Sequence, residues 1–259
     1  MARDGLVATN EMPQLRQLPH LPQQAQQEHL QEHLETDGRA SRNYELLILN
    51  YMNTFFLPFV GRDYTTGGIF GKRIMVLGES HYCDEGCIDC GNVANHRECR
   101  TFTNGVVNDY LNEDKPRERW MSTFLKFERS LVGHETEWPE RQRIWQSVLF
   151  YNYLQVAMGG PRKAGTEAEY RQAEEAIFSV LDQYRPQYII VWGNRLWGEM
   201  PGGERWQDGD DITIDGYTVN TGNYALSGGG RVKVMAVNHP SVGYSWDYWH
   251  KVIETFLKR

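Results

Sequence analysis

All four cysteines of the chain fall between positions 83 and 99, in the run HYCDEGCIDCGNVANHRECR, spaced C-x3-C-x2-C-x8-C. Four thiolates so close in sequence suit tetrahedral zinc, with Cys83, Cys87, Cys90 and Cys99 as ligands. His81 or His96 could replace one of them. A site filled by thiolates keeps no open position for water, so this zinc would be structural. The other groups able to do chemistry stand in four short polar stretches: GESHY (78–82), NYLQ (152–155), GNRLW (193–197) and NHPSVGYS (238–245). They offer a carboxylate, carboxamides, imidazoles and hydroxyls. Such groups can manage protons, read hydrogen-bonding edges and stabilise charge as bonds break.

Each polar stretch ends a short apolar run: IMVLG (74–78), SVLFYN (147–152), YIIVWG (188–193) and VKVMAVN (232–238). Their length and branching without alternation predict strands buried on both faces. Helical patterns separate them, notably over 117–132 and 167–184. The alternation predicts an α/β fold, a three-layer α/β/α sandwich around a roughly four-stranded parallel sheet. NYELLILNYMNTFFLPF (43–59) reads as a helix, Asp211 to Val219 as a polar hairpin, and WDYWHKVIETFLKR as a closing helix. In such a sheet, ligands bind beyond the carboxyl ends of the strands, where the polar stretches stand.

Residues 1–40 are rich in Gln and Pro and predict a mobile polar tail; residues 41–259 read as a single domain with a Cys-rich insert at 83–99. No apolar run approaches the roughly 20 residues of a membrane span. The N-terminus lacks the regions of a secretory signal, so a cytoplasmic protein is expected. The net charge of −7 argues against bulk electrostatic binding of DNA but leaves room for a local basic groove.

Taken in order, the strand ends resemble the uracil-DNA glycosylase superfamily over about Ile74 to the C-terminus. VLGESHY resembles that family's first motif, written GQDPYH in one branch and GEAPG in another. RTFT (100–103) resembles the stretch with the base-stacking Phe, and SVLFYNYLQV the strand ending in a base-reading Asn. YIIVWGNRLW resembles its third strand, and VNHPS its HPS motif. The resemblance implies a monomeric, monofunctional DNA glycosylase that flips a base out of the duplex and hydrolyses its N-glycosidic bond. No Lys stands in the motifs to support a lyase step.

Under that resemblance Phe102 is the stacking platform and Asn152 the reader of the base. His239 donates to the departing base, and Glu79 positions water and stabilises the sugar cation. Ser80 stands where one branch has an Asp, and His81 replaces the family's Pro. Tyr82 matches the residue closing the C5 side of the base. It argues for uracil if retained there, and for a C5-substituted pyrimidine if displaced. Ser241 would bind a phosphate, and Val242 or Tyr244 would fill the gap left in the duplex. Some superfamily members carry an iron–sulfur cluster, the alternative to zinc. Some defend bacteria by removing bulky modified cytosines from phage DNA, and that substrate class is the one expected here. The alternative is uracil excision in base-excision repair. C-x3-C-x2-C with Gly202-Gly203-Glu204 also resembles radical S-adenosylmethionine enzymes, a rival reading. An inactive DNA-binding module of the same fold is the other.

Overall fold

The computed structural model describes residues 54–83, 90, 97–241 and 243–259. The expected tail, most of the helix expected over 43–59, Cys87, His96 and Val242 lie outside the described residues. The elements run β1 (Phe59–Val60), β2 (Ile74–Gly78), α1 (Phe102–Tyr110), α2 (Met121–Val132), α3 (Trp138–Trp145), β3 (Val148–Asn152) and α4 (Glu167–Tyr184). There follow β4 (Tyr188–Trp192), α5 (Asn194–Gly198), β5 (Trp206–Asp208), β6 (Ile212–Ile214), β7 (Tyr217–Val219), β8 (Thr221–Ala225), β9 (Arg231–Val237) and α6 (Trp246–Leu257).

The protein is α/β, with a large, mostly parallel central sheet. The four expected strands lie side by side in the order β3-β2-β4-β9, all parallel. β2, β3 and β4 are buried at every position, as unalternated apolar runs require. The sheet is wider than expected, because β1 pairs antiparallel with β3 while β8 and β5 extend the β9 edge antiparallel, giving seven strands. β6 and β7 form the expected hairpin as a separate two-stranded sheet. On one face Ile74, Val76, Phe150, Ile190, Trp192 and Val237 share a core with α2, α3 and α6. Their alternates Met75, Leu77, Tyr151, Ile189 and Val191 are equally buried. Among the described residues no helix is long and apolar enough to cross a membrane.

The helix expected over 43–59 does not include its described residues, 54–59. Pro58 has no amide hydrogen to continue a helix and disfavours helical backbone at Leu57. The amides of Phe55 and Phe56 instead donate to Oε1 of buried Gln155, at 2.8 and 3.1 Å.

Candidate active site

Strand register brings the polar stretches to one edge. Gly78 lies opposite Asn152, and Trp192 opposite Val237. Beyond the strands the amides of Tyr153 and Leu154 bond the carbonyls of Gly78 and Glu79, both at 2.9 Å, and Gly193 N–H bonds Val237 O at 2.8 Å. Glu79, Asn152, Arg195 and His239 therefore follow four neighbouring parallel strands at their carboxyl ends, where such folds bind ligands.

Phe102, Thr103, Asn152 and His81 form one cluster. Phe102 opens α1 and stacks on the His81 imidazole, with centroids 4.6 Å apart and planes 24° from parallel. Phe56 meets that ring edge-on at 4.8 Å. Asn152 Nδ2 lies 3.1 Å from His81 Nδ1 and 3.2 Å from Nε2, and Thr103 Oγ1 lies 2.9 Å from Nε2. Burial holds the His81 imidazole neutral, its pKa pushed down to about 3. The two residues expected to hold a base thus hold a side chain of the chain itself. Gln155, which sequence reasoning passed over, anchors the backbone that carries Phe56.

Glu79 is tied up. Arg195 Nε donates to Oε1 at 2.7 Å and to Oε2 at 3.1 Å, and Nη2 donates to Oε2 at 2.5 Å. The Tyr170 hydroxyl also donates to Oε1. Most of the carboxylate's roughly four lone-pair sites are therefore occupied, which leaves little capacity to orient water. Ser80 is half-buried beside it, and Tyr82 is exposed. Among the described residues Tyr82 makes none of the ring contacts around His81. Sequence reasoning missed Arg195 and Tyr170. Arg195 was legible as a cation three residues past a buried strand; Tyr170 is buried on α4 and reads as core.

His239 Nδ1 lies 3.0 Å from Ser241 Oγ. With the Ser241 hydroxyl donating to Nδ1, Nε2 carries the proton and can donate outward. Ser241, expected to bind a phosphate, is here engaged with His239. Burial is the largest cause holding the His239 pKa below its usual value, although the residue as a whole is exposed; Arg195 adds to it and Glu79 opposes it. Lys126, on α2, donates to Ser241 O and pins this loop. Tyr244, one of the two residues expected to fill the gap in the duplex, is buried, stacks on Trp249 and shares a 2.8 Å hydrogen bond with Ser130, so it would have to leave the core to act as a wedge.

Cys83 and Cys90 meet the same loop. Cys83 N–H donates to Met158 O at 3.0 Å, and Cys90 Sγ accepts the Ala157 amide at 3.0 Å. Cys99 stands in the turn leading into α1. Among the described residues no group of three or more His, Cys, Asp or Glu side chains gathers as a metal site; Cys87 is outside that set. A cavity of about 520 Å³ lies elsewhere, between α5 and the β5–β8 edge, lined by Trp197, Trp206 and Tyr224 among others. Its lining includes none of Glu79, Asn152, Arg195 and His239, and includes Gly202.

No family model matches the chain, and no curated protein is similar to it at a significant level.

Proposed function

We propose that the chain is a DNA glycosylase of the three-layer, uracil-DNA glycosylase-like kind, which excises a modified pyrimidine by hydrolysis of its N-glycosidic bond. One observation carries this reading: Phe102 and Asn152 together grip a flat nitrogen heterocycle, the His81 ring, at the carboxyl edge of the sheet that also carries His239. A flipped base needs the same stack and the same amide. His239, donating through Nε2, would stabilise negative charge on the departing base. Glu79 would offset positive charge on the sugar; its ion pair with Arg195 weakens that field, so Arg195 must be drawn partly away, by a phosphate for instance, for Glu79 to act fully.

Zinc held by Cys83, Cys87, Cys90 and Cys99 belongs to this proposal. The amide-to-sulfur bond at Cys90 fits a thiolate donor, and the metal would brace the 157–158 loop against the Glu79 stretch. Elemental analysis of chelator-free protein should find about one zinc per chain; iron with visible absorbance would replace zinc by a cluster.

A binding module without turnover is favoured by one observation, the occupation of the Glu79 lone pairs by Arg195 and Tyr170. The deciding experiment offers duplexes containing uracil, 5-hydroxymethylcytosine or its glucosylated form, and measures free base and alkali-labile abasic sites. Excision of a modified cytosine supports the proposal. Excision of uracil alone moves it to repair. Binding without any abasic product leaves the module.

A further inference from the structure

The base pocket is not empty. His81 presents one face to Phe102, its edge to Phe56, its ring nitrogens to Asn152 and Thr103, and only 4% of its surface to solvent. The Phe102 ring, Asn152 Nδ2 and Thr103 Oγ1 are all engaged by this one heterocycle. An imidazole is flat and offers ring nitrogens to hydrogen-bonding partners, as the edge of a pyrimidine does. Asn152 Oδ1 lies only 2.2 Å from where a Cβ on Gly78 would stand, so the carboxamide fills the space of that missing methyl against the strand. A five-membered ring and a six-membered base cannot share this volume at interior packing density.

We infer that His81 is a built-in plug that mimics the extruded base, and that a base enters only as the imidazole leaves. This rests on the reading of Phe102 and Asn152 as the base pocket. His81 is thus a specificity-determining residue. An incoming base must replace the stack, the Asn152 contact and the Thr103 contact together, which a planar ring with adjacent donor and acceptor atoms does and an apolar ring does not. The ligand class of the vacated pocket is the planar nitrogen heterocycle.

The test uses the full chain without DNA, so its failure and a failure of glycosylase activity are separable. His81→Ala is titrated with free imidazole, free cytosine and benzene by calorimetry and thermal shift. Imidazole and cytosine should bind at least tenfold more tightly than to the unmodified chain, benzene should gain less, and His81→Ala/Phe102→Ala should lose the gain. His81→Phe keeps a ring in place and should bind neither heterocycle better than the unmodified chain. If His81→Ala does not fold alone, imidazole at tens of millimolar should restore its near-ultraviolet circular dichroism. A His81→Ala chain that neither binds a heterocycle nor is rescued by one overturns the inference, as does binding that survives loss of Phe102.

Discussion

Gly78 decides where the Asn152 amide can stand. Gly78→Ala would put a methyl 2.2 Å from Asn152 Oδ1, so the amide must turn away or the strand must shift. The overpacking should cost about 1–3 kcal/mol, read from the urea midpoint. Selectivity among bases should fall while affinity for undamaged duplex holds; unchanged selectivity would remove Asn152 from base recognition. His239 supplies a pH test. Its pKa is lowered first by burial and further by Arg195, against Glu79. Arg195→Gln removes one lowering cause and leaves the raising one, so the His239 titration followed by NMR should move up. The neutral donor is lost as pH falls through that pKa, so the acid limb of excision should also move to higher pH. A limb that stays in place would separate His239 from the chemistry. Glu79, Asn152, Phe102 and His239 were legible because each follows or precedes a recognisable run. Their partners were not. Arg195, Tyr170 and Thr103 meet them only through folding, and no local spacing encodes the filling of the Phe102 stack by His81.

Helices α1, α2 and α3 are joined by one carboxylate. Glu128 on α2 is fully buried and accepts from Tyr110 at 2.7 Å, Trp145 at 3.0 Å, Arg141 at 3.1 Å, and Thr136. Removing one partner of a buried ion pair strands the other, so Glu128→Ala should lose about 3–5 kcal/mol in denaturant unfolding. A loss below 1 kcal/mol would make the network incidental. At the start of α4, Thr166 and Glu169 form a reciprocal capping box, and Tyr170 follows at once to reach Glu79. Thr166→Ala should cost about 1 kcal/mol and loosen the helix end that holds that hydroxyl. The four parallel strands and α4 were legible because apolar runs and helical spacing dominate them. β8 was not: TGNYA is a poor strand by composition, yet Gly222 is needed there, since the ring of Trp206 lies where its Cβ would be. β1 has only two residues and β5 three, too short for any periodicity. In α1, Gly105 and two asparagines mask the pattern.

A chain of net charge −7 that engages DNA must do so through a local field. Among the described residues, the cations at the site edge include Lys126, Arg162, Lys163 and Arg195. Lys126 is committed to Ser241 O and Arg195 to Glu79. Arg162 and Lys163 are exposed in the loop after β3, and the Arg162 carbonyl accepts from Arg195 at 3.3 Å, so they stand beside the Glu79–Arg195 pair. Two available cations imply a shallow salt dependence. With a slope of about −0.9 per phosphate contact, log affinity should fall by about 1.8 per decade of salt, or roughly twelvefold between 50 and 200 mM. Arg162→Ala/Lys163→Ala should bring the slope close to zero and weaken all duplexes alike, because phosphate contacts carry no base identity. Under the proposed function, discrimination between modified and ordinary cytosine should survive in that variant, since it is there assigned to Phe102 and Asn152. Fluorescence anisotropy across a salt series measures both. A slope of −5 or steeper, or one indifferent to the double substitution, would place the DNA contacts on another surface and separate the strand-end cluster from duplex binding.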